Sequence, residues 1–226
     1  MEKIIELRGI TKEFDGERVL NAIDLYIRDN EFVTLLGPSG CGKTTTLRII
    51  GGFVTPDEGE VYFDGKKIND LPPYKRQVNT VFQKYALFPH LNVYENVAFA
   101  MRVIGAKEKD IKERVPYVLE LVGLENKASR HPGEMSGGEQ QRRAIARALV
   151  NNPSTIIADE PTGNLDPARS FEIMALLQEI NNLGTTVLVV THEKDLVERF
   201  AKRVIAIDEG LVVSDGMEGY YSHEAE

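Results

Sequence analysis

The sequence predicts an α/β fold, a parallel β-sheet covered on both faces with an all-helical stretch inserted into it. Three observations carry that expectation. Continuous apolar runs such as "FVTLL", "STIIAD" and "TTVLVVTH" mark strands buried on both sides. In the second half these runs alternate with helical patterns, the strand–helix–strand order that a parallel sheet requires. From about Val93 to Val150 helical periodicity dominates.

The elements follow in order. "IIELRGITKEF" and "RVLNAIDLYI" are partly alternating and read as strands, and "FVTLLG" is a short apolar strand closed by a glycine. A helix from about Lys43 to Ile50 comes next, then Gly/Pro/Asp punctuation and the strand "GEVYFDG". In "KDIKERVPYVLELVGL" the residues Ile111, Val115, Val118, Leu119 and Val122 share one helix face, with Pro116 expected at a break or first turn. The strand "STIIAD", the helix "ARSFEIMALLQEINNL", the buried strand "TTVLVVTH", a short helix and the strands "RVIAID" and "LVVSDG" complete the order. The acidic tail after Gly219 is expected to be loose.

Composition narrows the function classes. A chain of 226 residues, 42% hydrophobic and 27% charged, is expected to form one soluble globular domain with a real core. A formal charge of −8 argues against nucleic acid as a partner, because phosphate backbones select basic surfaces. No apolar run reaches the roughly 18 residues of a membrane span. "MEKIIELRG" carries charges where a signal peptide needs its apolar stretch, so a cytoplasmic location is expected. The single cysteine, Cys41, excludes an internal disulfide framework and a Cys-rich metal site.

The chemistry concentrates in a few motifs. "GPSGCGKTT" (Gly37, Pro38, Ser39, Gly40, Cys41, Gly42, Lys43, Thr44, Thr45) fits G-x-x-x-x-G-K-[ST] and lies between a predicted strand and helix, the context that motif requires. Its glycines let backbone N–H groups face phosphate oxygens, Lys43 meets β/γ charge, and Thr44 can ligate Mg²⁺. In "TIIADEP", Asp159 at a strand end suits the hydration shell of Mg²⁺, and Glu160 could polarise a water for in-line attack. Alone, such an acidic pair is more often a cap or turn; beside a phosphate loop the catalytic reading is stronger. Taken singly, His192, Gln83 and Phe14 are unremarkable surface or core residues. Cys41 reads as a reactive bystander thiol. "MSGGEQQRRAIARAL" offers a second anion site, with Ser136, Gly137 and Gly138 ahead of a helix whose positive end faces them. Arg142, Arg143 and Arg147 on that helix read as structural or nucleotide-facing.

The phosphate loop, Gln83, "SGGEQ", "ADEP", "NLD" and "TH" occur in the order of the ATP-binding cassette (ABC) ATPases, which the chain resembles over essentially its whole length. The resemblance implies a P-loop NTPase fold of the ABC type, with an N-terminal antiparallel β-subdomain. Residues 1–82 and 154–226 would form the nucleotide-binding core and 83–153 a helical subdomain. It implies ATP and Mg²⁺ as ligands. Phe14 would stack on adenine with Val19 close by, and Gln83 would touch Mg²⁺ and sense the membrane partner. Glu160 would be the base, His192 the γ-phosphate switch, and Asp166 part of the loop linking two sites.

The same resemblance explains the second anion turn. Ser136 to Gly138 would cap nucleotide held by a second copy, two chains sandwiching two ATPs head to tail. The sequence departs from the family's L-S-G-G-Q with Met135 and Glu139; Met keeps an apolar plug, whereas Glu139 is expected to bring a carboxylate close to triphosphate.

Residues 1 to about 100 look like the ATPases of spermidine/putrescine importers. From about Met101 the chain looks like the cell-division ATPase of the FtsE type, so that it reads as a mosaic, natural or engineered, joined in "VYENVAFAM". The implied partner is an integral membrane permease or an FtsX-type membrane protein, with the chain peripheral on the inner face of the membrane. Residues 83–105 would carry partner choice. A soluble ABC ATPase is the remaining reading, although that type usually fuses two cassettes or inserts a coiled coil.

Overall fold

The computed structural model describes residues 2–82 and 88–217. Lys3–Phe14 (β1) and Glu17–Arg28 (β2) form an antiparallel hairpin closed by Asp15 and Gly16, both at positive φ (52° and 85°). Asp-Gly is a pair suited to such a turn, because its twist matches that of the strands. Glu58–Phe63 (β4) and Lys66–Lys67 (β5) extend the hairpin into a four-stranded antiparallel sheet of order β2-β1-β4-β5.

The second sheet has six strands in the order β10-β9-β3-β8-β7-β6. Phe32–Leu36 (β3), Val78–Val81 (β6), Thr155–Asp159 (β7), Thr186–Thr191 (β8) and Arg203–Asp208 (β9) pair parallel, whereas Leu211–Gly216 (β10) runs antiparallel to β9. The parallel-sheet core expected from sequence is present, and a single antiparallel strand, β10, is added at its edge. Only Glu209 and Gly210, at φ 44° and 73°, separate β9 from β10, too short a link for the crossover a parallel pair needs. The sequence reading also passed over β6, whose four residues "VNTV" show too little alternation to register.

Alternate residues of the central strands enter two cores, which explains their unbroken apolar character. Ile156, Ala158, Val187 and Val189 face Val93–Val103 (α2), Glu108–Leu121 (α3), Gly137–Leu149 (α4) and Pro167–Asn182 (α5). Ile157, Leu188, Val190, Val33 and Leu35 face Lys43–Gly51 (α1) and the antiparallel sheet. The helices α2 to α4 lie between β6 and β7, so this parallel connection is long, and it contains no strand among the described residues.

Pro116 lies inside α3 and does not break it, correcting the expected break or first turn. Its missing N–H costs about 3 kcal/mol in a helix interior. Ile111, Val115, Val118, Leu119 and Val122 are all buried along the packed face, each worth about 1.5–3 kcal/mol, and that stripe holds the helix together. No helix among the described residues is long and apolar enough to cross a membrane.

Candidate nucleotide site

The strands β3, β8 and β7 are neighbours and parallel, so their carboxyl ends meet at one edge. Each delivers a different part of the site there, as open α/β sheets commonly do. After β3 comes the phosphate loop, at the end of β7 the pair Asp159–Glu160, and after β8 His192.

The loop turns into α1 at Gly42, the N-cap, with φ 107°. A Cβ at Gly42 would lie 2.4 Å from Leu20 Cδ2 and 2.9 Å from the Val19 carbonyl oxygen, so glycine is required by both conformation and space. Lys43 is buried; its Nζ donates to the carbonyls of Gly37 (2.8 Å) and Pro38 (2.6 Å) and lies 3.6 Å from Cys41 Sγ. Cys41 itself is only 5% exposed and packs into the core around α1. The expected reactive bystander is therefore a sheltered thiol, because its side chain points under the loop.

Thr44 Oγ1 donates to Asp159 Oδ1 at 2.9 Å across 115 residues of sequence. Burial raises the Asp159 carboxyl above its ordinary range, and the Thr44 hydroxyl opposes that shift. Glu160 adopts φ 46°, uncommon for a residue with a Cβ, while its N–H donates to the Val190 carbonyl at 3.0 Å. One Glu160 oxygen lies 2.8 Å from His192 Nδ1. A hydrogen bond between the Thr162 hydroxyl and the Glu193 carboxylate, unforeseen from sequence, ties the turn after Glu160 to the residue after His192.

Lys43, Thr44, Glu160 and His192 face a cavity of about 670 Å³, within the size range of small-molecule sites. Ser39, Gly40, Gly42, Lys43, Thr44, Thr45, Glu160 and His192 line it, together with Val19 and Glu17. Glu17 was missed by the sequence reading; it carries no motif. Phe14 is not part of the lining, but it stands directly opposite Glu17 in the hairpin and so shares its face. Gln83 lies outside the described residues.

The second anion turn, Ser136 to Glu139, and Asp166 also lie outside the cavity lining. Ser136 is the N-cap of α4 and Asp166 the N-cap of α5, accepting from the Glu139 N–H (3.4 Å) and the Arg169 N–H (3.1 Å). A Cβ at Gly138 would lie 3.4 Å from Arg169 Cδ, so the two helix starts are adjacent. Glu139 does not project freely. Its carboxylate accepts from the Ser136 N–H at 2.8 Å and pairs with Lys127 at 3.5 Å, closing a capping box. The carboxylate expected to approach the triphosphate is folded back on its own helix here. Arg142 pairs with Glu172 of α5 and Arg143 is fully buried, which favours the structural reading of both.

A family model described as ABC transporter matches residues 20–163. The cell division ATP-binding protein FtsE of Bacillus subtilis (strain 168) is 47% identical over 224 residues, 96% of this chain and 98% of that protein. The chain belongs to the ABC transporter ATPase family. The spermidine/putrescine import ATP-binding protein PotA of Clostridium novyi (strain NT) is 50% identical over 216 residues, 95% of this cassette. The cassette spans 62% of that importer protein's length. Both resemblances read from the sequence are present, and each alignment runs along nearly the whole cassette. Among solved structures, the dimeric cassette MJ0796 in a post-hydrolysis state bound to ADP and Pi superposes with a TM-score of 0.83 at 38% identity. That match covers 96% of this cassette and 100% of that chain.

Proposed function

We propose that this cassette hydrolyses ATP with Mg²⁺, and that Glu160 and His192 carry the chemistry at a phosphate site built by Gly37–Thr45. The observation that supports it most is the convergence of the Thr44–Asp159 and Glu160–His192 contacts beside Lys43. The Lys43 ammonium leaves the Gly37 and Pro38 carbonyls and takes phosphate oxygens instead, exchanging neutral acceptors for charged ones. Glu160 accepts a proton from the attacking water, and the His192 ring holds that carboxylate in place. Mg²⁺, when bound, neutralises charge on the phosphate oxygens; Thr44 and Asp159 are a hydroxyl and a carboxylate already side by side, a donor set that suits it, with Gln83 as a further ligand. Phe14 and Val19 take the base.

The turn Ser136–Gly137–Gly138, with Asp166 beside it, serves nucleotide bound by a second copy in a head-to-tail dimer. The dimeric state of MJ0796 supports this. The wider role is to drive a membrane-protein partner from the inner face of the membrane. A cell-division complex of the FtsE type with an FtsX-type partner is preferred, supported by the stretch from Met101 that includes "MSGGEQQ" and "IADEPTGNLDP". The polyamine-import reading is the alternative, supported by residues 1–100 and by identity as high as that to FtsE. Exposed Phe99, Val103, Ile104 and Tyr117 on α2 and α3 provide apolar surface for such a contact. Co-expression with each membrane protein, detergent copurification and ATPase assay test it. Capture and stimulation by the polyamine permease alone would reverse the preference.

A further inference from the structure

The hairpin end that presents Phe14 is tied down by one distant carboxylate. Asp57, between α1 and β4, accepts from Lys12 Nζ through Oδ1 and from the Glu13 N–H through Oδ2, both at 2.7 Å. Its own N–H donates to the Thr11 carbonyl at 2.9 Å. One residue thus holds Thr11, Lys12 and Glu13, just past the register slip between Arg8 and Thr11 in the pairing of β1 with β4. The Lys12 ammonium so held lies 5.2 Å from the centroid of the Phe14 ring. The lysine side chain is only 14% exposed, its ammonium held between Asp57 and the Phe14 ring. Phe14 remains 43% exposed, so the ring has a cation beside it and keeps part of its surface open. The two hydrogen bonds from Lys12 and Glu13 hold the Asp57 carboxyl below its ordinary range.

We propose that Asp57, acting through Lys12 and the Glu13 amide, is a positioning residue for the base of the bound nucleotide. It fixes the hairpin end, and the cation beside the ring fixes the ring plane through attraction to its π-face. A purine then stacks on a surface that is already ordered, which lowers the entropic cost of binding. The inference rests on the reading that Phe14 takes the base. Nothing in it requires hydrolysis or dimerisation.

Calorimetric titration of the full chain with ADP and with pyrophosphate tests it, since pyrophosphate offers the phosphate loop charge without a base. D57A and K12M should weaken ADP binding roughly two- to fivefold, the range of one exposed cation–π contact, and leave pyrophosphate unchanged. D57N, which keeps an acceptor for the Glu13 amide, should fall between D57A and wild type. In an F14A background D57A should have no further effect on ADP. ADP binding unchanged in both D57A and K12M overturns the proposal. So does an equal loss for pyrophosphate, or a D57A effect that persists in full without Phe14. If D57A does not fold, D57N and K12M decide the matter by the same comparison. F14A binding ADP as tightly as wild type would sink the base-stacking reading first, and this inference with it.

Discussion

At Lys43 the ammonium is already satisfied by two carbonyls of its own loop, so the proposed nucleotide would exchange partners there and not fill an empty charge site. Glu160 is held in the opposite manner, in an uncommon backbone conformation and aimed by His192. Replacing Glu160 by Gln would remove the proposed proton acceptor and leave shape almost unchanged. Turnover should fall by at least about 10²-fold while MgATP binding persists; unchanged turnover in a steady-state phosphate-release assay would remove Glu160 from the mechanism. Cys41 gives a second test. Its buried thiol should react with a disulfide reagent far more slowly in the folded cassette than in urea, and more slowly still with ADP bound. Labelling at the unfolded rate would mean that the loop opens freely. The role of Glu160 as an acid–base candidate was legible from its neighbours in the chain. The sheltering of Cys41 was not, because a side chain's direction beneath a loop depends on what packs there.

Helices α3 and α4 show how single residues set an element. Pro116 is exposed in the middle of α3 and leaves one turn of the helix without its backbone bond. Pro116→Ala should therefore raise stability by about 1–2 kcal/mol, the lost bond being partly offset by the greater freedom of the unfolded chain. Urea denaturation reads this as a higher midpoint at unchanged slope; a lower midpoint would show that the proline ring itself packs usefully. In α4 the Glu139 carboxyl is held below its ordinary range, first by the Ser136 N–H. A depressed carboxyl stabilises the fold above its unfolded value of 4.5 and loses that contribution as pH falls through the folded value. Glu139→Gln should accordingly flatten the acid limb of the stability profile while leaving the cap in place. An acid limb as steep as that of wild type would show that Glu139 is not coupled to folding.

For the whole molecule, the second anion turn makes a prediction that one chain cannot fulfil alone. The lining of the nucleotide cavity includes none of Ser136, Gly137 and Gly138, yet their helix start lies against that of α5. Light scattering of the Glu160→Gln variant should show a doubling of mass with MgATP and none with ADP. A constant mass at high protein concentration would count against the sandwich. Ser136→Ala should weaken the ATP-dependent dimer and also cost about 1 kcal/mol of stability through the lost N-cap. Reading the dimer as the functional unit gives the adjacent caps of α4 and α5 a common purpose.

By itself the sequence determined the type and order of most elements, and the place of the phosphate loop, because these are written in local signals. Apolar runs, helical spacing and a glycine-rich turn between strand and helix need no distant partner to be recognised. The tertiary structure alone decided which strands are neighbours. Thr44 meets Asp159, and Glu160 meets His192, only because β7 pairs with β8 in a register that sets Asp159 opposite Val190, with β3 on the other side of β8. The antiparallel course of β10, the pairing of β6, the inward turn of Lys43 and the fold-back of Glu139 were likewise settled by packing. Each depends on contacts between residues whose proximity exists only once the chain has closed on itself.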